Sequence, residues 1–163
     1  MKTVLLSCLL TLFSVSFSQA QSTADLSGTW YVNGNTGSPA YIIQNEQNIT
    51  IIFNNTYSIA TFTSSNQIYA AQWKAYGNIS ADGNTLTWTN QVWARANINY
   101  PNIAGTWMVN GVSITISQNG KYLEFIMPNG RSKGYFYSAT GIYATGWNTY
   151  AIYDDASKSL KVG

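Results

Sequence analysis

The chain has 163 residues, with eight Lys or Arg against six Asp or Glu, one cysteine and no histidine. Cys8 falls in a leader-like stretch, so the remainder can form no disulfide, Cys/His zinc site, Ser-His-acid triad or Cys-His nucleophile, each of which needs a residue type it lacks. Charge is sparse and nearly balanced, without the dense basic face that nucleic acid or an anionic membrane requires, so neither is expected as a partner.

Residues 1–20 read as a signal peptide: Lys2, an apolar run over 4–17, then Ser18-Gln19-Ala20, a small-x-small end suited to cleavage before Gln21. The run is shorter than the roughly 20 residues that span a bilayer, and a secreted, extracellular protein is expected. Leu5-Leu6-Ser7-Cys8 loosely resembles a lipobox, with an unusually short basic lead-in.

Residues 21–163 are expected to form a single β-domain that says the same thing twice. Ser27-Gly28-Thr29-Trp30-Tyr31-Val32-Asn33-Gly34 returns as Ala104-Gly105-Thr106-Trp107-Met108-Val109-Asn110-Gly111. From Gln44-Asn45 to Trp73 the first copy then runs in step with Gln118-Asn119 to Trp147. Repeat one covers about 27–95 and repeat two about 104–163. Such internal self-similarity constrains the fold before any propensity argument.

Along each copy β-branched and aromatic runs are punctuated by Asn33-Gly34, Asp82-Gly83, Asn110-Gly111, Asn119-Gly120 and Asn129-Gly130, which suit tight hairpins. About five strands per copy are predicted: the Gly-Thr-Trp segment, 41–44 or 113–118, 49–53 or 122–127, 59–63 followed by 68–73, and 85–89. Alternation is clearest in copy two, where Ile114 and Ile116, then Leu123, Phe125 and Met127, define one face. The fold class is all-β, an antiparallel meander of two tandem repeats. One barrel of about eight to ten strands is favoured over a two-sheet sandwich, because a single copy is expected to leave a hydrophobic face and two open edges. Copy two stops where Trp88 and its successors would follow, so its last strand is expected to be short or to leave an open edge able to accept another molecule's strand.

Gly28-Thr29-Trp30 and Gly105-Thr106-Trp107 resemble the Gly-x-Trp motif that opens the first strand of calycin barrels, the lipocalin and avidin group. The resemblance implies a meander barrel and, on the lipocalin pattern, an Arg packed on the motif Trp, a role that falls to Arg95 beside Trp30. No Arg closes copy two to serve Trp107 as Arg95 would serve Trp30, and the avidin ligand residues have no counterparts, so biotin binding is not implied.

No catalytic residues, cofactor or metal site are expected. Acids are few, Glu124 alone lies within a confident strand, and Asp82-Gly83-Asn84 and Asp154-Asp155 suit turns better than calcium loops. The aromatic pattern is richer. Tyr69 with Trp73, and Tyr143 with Trp147, are expected on one face of a strand, with Gln44, Asn45, Gln118, Asn119 and Asn148 as polar companions. The leading functional expectation is therefore a non-enzymatic protein that binds a glycan or small neutral ligand. The alternatives are a self-assembling extracellular structural, filament or coat protein, and a lipocalin-like small-molecule carrier. Core packing is the competing role for the same rings. Asn48, Asn54 and Asn78 begin N-glycosylation sequons.

Overall fold

Each repeat folds onto itself because each supplies enough short strands to curl a sheet around its own apolar side chains. The computed structural model describes residues 23–163, and the predicted signal peptide lies outside them. Repeat one forms β1 (Gly28–Val32), β2 (Asn35–Asn45), β3 (Asn48–Phe53), β4 (Thr56–Ser64), β5 (Gln67–Ala70), β6 (Ala75–Ile79), β7 (Thr85–Thr87) and β8 (Val92–Arg95). These close into an eight-stranded antiparallel barrel, with Trp30 opposite Arg95 and Val32 opposite Trp93 where β1 meets β8. Repeat two forms β9 (Gly105–Val109), β10 (Val112–Asn119), β11 (Tyr122–Met127), β12 (Gly130–Phe136), β13 (Gly141–Ala144), β14 (Thr149–Asp154) and β15 (Ser159–Val162). They make a seven-stranded meander whose end strands, β9 and β15, lie side by side without a ladder.

The all-β antiparallel meander of tandem repeats is thus what the chain builds. Closure takes place within one copy instead of across both, so there is one closed barrel and one nearly closed sheet. Eight strands enclose an interior just wide enough for side chains to fill, so a second copy is not required for closure. The strands missing from the predicted set are β6, β14 and β8; β6 is interrupted by Gly77, which weakens its strand signal.

Turn chemistry explains the register. Asn33-Gly34 and Asn110-Gly111 both take positive φ (50° and 74°, 51° and 80°), as a two-residue hairpin with the right twist demands. Asn129-Gly130 does not behave as predicted. Pro128 and Asn129 form the turn and Gly130 begins β12, because the Pro ring holds φ negative at the first central position.

Alternating residues point inward. One core contains Trp30, Ile42, Ile51, Ile68, Leu86 and Trp93; the other contains Ile116, Leu123, Phe125, Phe136 and Ile142. A third, smaller cluster of Ile43, Tyr135 and Tyr143 joins the repeats. Around it, Tyr135 donates its hydroxyl proton to the Gln44 carbonyl at 2.8 Å and accepts the Gln44 N–H at 2.6 Å. Thr29 Oγ1 donates to the Tyr137 carbonyl at 3.1 Å. Lys121 Nζ sits 2.9 Å from Asp25 Oδ2 and also donates to Ser27.

Candidate functional site

The predicted Tyr/Trp recesses do not form, and the reason is local. β5 ends at Ala70 and β13 at Ala144, and the chain then turns through 71–74 and 145–148, with Lys74 and Asn148 at positive φ of 49°. Period-two alternation stops at the turn, so the Tyr and the Trp of each pair part company. Trp73 swings towards the first core, its ring 6.1 Å from both Trp88 and Trp93. Tyr69 stays on the outer face, 4.8 Å from the ring of Tyr76. In repeat two, Trp147 packs on Phe125 at 5.8 Å, whereas Tyr143 is 3% exposed in the cluster between repeats.

Residues held in both copies hold those turns. Ser58 Oγ accepts the Gln72 N–H at 3.2 Å, and Ser132 Oγ accepts the Gly146 N–H at 3.0 Å; both serines are buried. The repeated glutamines are also structural. Gln44 Oε1 accepts the Leu26 N–H while its Nε2 donates to the Ala24 and Glu46 carbonyls. Gln118 repeats the arrangement with Ile103, Pro101 and Gly120. Each latches the segment entering its barrel, so neither is free to act as a ligand group. Asn119 is exposed at the end of β10, whereas Asn45 lies near Tyr143 and Asn148 across the junction. Asn48, Asn54 and Asn78 are exposed on repeat one, with Asn54 accepting a hydrogen bond from Ser38 and Asn78 one from Gln67.

The largest difference between the copies lies inside them. In repeat one indoles crowd the lumen, with Trp88 and Trp93 5.3 Å apart and Phe53 5.4 Å from Trp93, and they wall a recess of about 300 Å³ beside Trp73. Gly77 makes this possible, since a Cβ there would stand 2.9 Å from the Trp88 ring. In repeat two the matched positions are Ala151 for Gly77 and Val162 for Trp88. The small residue has grown and the large one has shrunk. A cavity of about 340 Å³ lies there, walled by Ile114, Ile116, Phe125, Met127, Trp147 and Val162 among others, with Asn110 and Thr149 as its polar contributors. Aligning the copies position by position already contained this exchange as a signal; reading only for shared residues passed over it.

Arg95 packs on Trp30. Its guanidinium carbon lies 4.6 Å from the Trp30 ring, and it donates to the Ser27 carbonyl at 2.8 Å and the Gly83 carbonyl at 3.1 Å. Trp30 Nε1 donates to the Leu26 carbonyl at 2.9 Å, and Trp107 Nε1 to the Ile103 carbonyl at 2.8 Å. Trp88 Nε1 is buried without a hydrogen-bond partner among the described residues.

At the junction, burial opposes the charge on Asp25, yet hydrogen bonds from Ser27 and Tyr122 and the Lys121 ammonium bring its carboxyl down to about 2. Burial pushes Lys121 down and Tyr135 up. Asp25 is the hydrogen-bonded partner and sets the acid behaviour of the pair; Lys121 carries the cost of desolvation. This constellation joins the repeats.

The chain matches no protein-family profile, and comparison with curated proteins finds no match.

Proposed function

We propose that this is a secreted, non-catalytic binding protein that carries a small, uncharged, apolar molecule in the lumen of its second repeat. The observation supporting this reading is the exchange of Gly77 and Trp88 for Ala151 and Val162, which accompanies a largely aliphatic cavity of about 340 Å³ where the matching recess of repeat one, about 300 Å³, is walled by indoles. That volume falls within the range of about 300–1,000 Å³ common for small-molecule sites. Apolar cavities of even roughly 150 Å³ stay dry and take up aromatic molecules, because apolar walls offer water no hydrogen bonds. Of the three functional expectations, the carrier reading resembling a lipocalin is favoured over glycan recognition through paired Tyr/Trp faces, since Trp73 is already packed against its neighbouring indoles.

The uncharged fluorophore N-phenyl-1-naphthylamine provides the test. It should brighten on binding one site per chain, and the double variant Ala151→Gly with Val162→Trp, which transplants the filled lumen, should abolish the signal while the protein stays folded. Equal binding by the filled variant would place the probe elsewhere and overturn the reading.

Self-association is a second reading, supported by the unpaired edges of β9 and β15 and by Met108, 69% exposed on β9. Light scattering across a concentration series tests it. A single-chain mass throughout would reject it, and growth that stops on Met108→Lys would support it.

A further inference from the structure

We propose that a second, polar site lies in the groove between the repeats and binds an uncharged saccharide, with Tyr150 as the platform for a sugar face and Asn45, Asn48, Thr50 and Asn148 as partners for its hydroxyls. The groove has a volume of about 340 Å³. One wall is the β2–β3 hairpin, which brings Asn45, Asn48 and Thr50; the other is the β13–β14 hairpin, which brings Asn148 and Tyr150. Ile43 and Tyr143, 4% and 3% exposed, close its base.

The chemistry of these walls selects the ligand. No charged side chain lines the groove, so an ion would find no counter-charge there. An apolar molecule would strip water from the amides without replacing their hydrogen bonds. Among the described residues, the side chains of Asn45, Asn48 and Thr50 and the Tyr150 hydroxyl make no hydrogen bond to the protein, leaving donors and acceptors together at the surface. Tyr143 donates to Asn148 Oδ1 at 2.6 Å, which fixes that amide with its NH₂ free. Tyr150 is 42% exposed and its ring lies 4.9 Å from that of Tyr143, so one ring is held by the other. A sugar matches this set: its hydroxyls each donate and accept, and its C–H face lies flat on an aromatic ring.

Two further features make this a built site. The walls cannot drift apart easily, because the Tyr135 hydroxyl grips both backbone groups of Gln44, the residue before Asn45; such pre-organisation lowers the entropic cost of binding. Repeat one also has the matching tyrosine pair, Tyr69 and Tyr76, at 4.8 Å, but Lys74 stands at the position of Asn148. Tyr76 is therefore a built-in control.

The test is isothermal titration of the protein, produced free of N-glycans so that Asn48 is bare, with the neutral hexaoses of β-1,4-glucose, β-1,4-xylose, β-1,4-N-acetylglucosamine and α-1,4-glucose. At least one should bind. Tyr150→Ala should weaken it roughly tenfold or more, as removal of a central aromatic contact does. Asn148→Gly, which suits the positive φ at that position, should weaken it several-fold, and Tyr76→Ala should leave it unchanged. Near-UV circular dichroism checks the fold of each variant; if Tyr150→Ala unfolds, Asn148→Gly decides. N-phenyl-1-naphthylamine binding should not respond to either groove variant, so failure here is distinct from failure of the lumen reading. The proposal is overturned if no hexaose binds, if a folded Tyr150→Ala or, failing it, Asn148→Gly binds like the parent, or if Tyr76→Ala weakens binding as much as the groove variants.

Discussion

β1 and β9 carry nearly the same sequence and live in different environments. Trp30 is fully buried under Arg95, whereas Trp107 is only half-buried and the strand around it is largely exposed. Much that is set locally is alike in the two: the indole N–H bonded four residues back, the glutamine latch, the buried serine beneath the turn; the β1–β2 register, however, shifts between Trp30 and Val32 where β9–β10 runs unbroken. Everything set by distant strands differs. A barrel strand therefore takes its conformation from its own residues and its environment from the strand that closes against it.

The strongest way to break that comparison is to delete the two motif tryptophans in turn. Trp30→Ala removes a buried indole and should cost about 3–5 kcal/mol, whereas Trp107→Ala should cost distinctly less because its side chain is only partly buried. Urea midpoints of the two variants check this; equal losses would mean that repeat two is as closed as repeat one. Next in size is the exchange inside the lumens. Gly77→Ala alone drives a methyl into the Trp88 ring and should cost roughly 1–3 kcal/mol through overpacking. Adding Trp88→Val should recover part of that loss, since the pair then matches Ala151 and Val162. Additive losses in the double-mutant cycle would show that the two positions do not sense one another.

The junction gives a pH-dependent version of the same contrast. Asp25, held at about 2 against an ordinary 3.8, favours the folded state once it is ionised. Its contribution is complete above the ordinary value and is lost as pH falls through roughly 4 towards 2. Asp25→Asn should flatten the acid limb of a thermal-unfolding profile in that window. A profile unchanged by the substitution would show that Asp25 does not link the repeats energetically.

Much of the fold was legible because it is local. The duplication, the Asn-Gly hairpins at 33–34 and 110–111 and the inward set of Ile114, Ile116, Leu123 and Phe125 follow from spacing and residue type. What was not legible depends on where the chain turns back. The turn between Tyr69 and Trp73 is hidden in copy one, where Lys74 takes positive φ without being Gly or Asn, and shows only in copy two, where Gly146 and Asn148 occupy the matched turn. Tyr135 and Tyr143 read as ordinary strand residues, and only the docking of one repeat on the other turns them into its interface. Gln44 and Gln118 stand out as repeated polar residues, and their repetition marks a structural latch.

The smallest prediction isolates the closing strand itself. Asn33 and Asn110 open matched hairpins at nearly the same positive φ, 50° and 51°. Glycine adopts that conformation freely, so Asn33→Gly and Asn110→Gly change the backbone strain in the same way. They differ in one bond: Asn33 Oδ1 accepts the Val92 N–H at 2.8 Å, on the strand that seals the first barrel. The backbone partner bond, Asn33 N–H to the Val92 carbonyl at 2.7 Å, survives the substitution. Asn33→Gly should therefore be the less stable variant by about 0.5–1.5 kcal/mol, the net worth of one hydrogen bond. Hydrogen exchange localises the effect, since the Val92 amide should lose protection in Asn33→Gly and keep it in Asn110→Gly. Matching protection in both would mean that β8 is held by its ladder alone and that the Asn33 side chain adds nothing to closure.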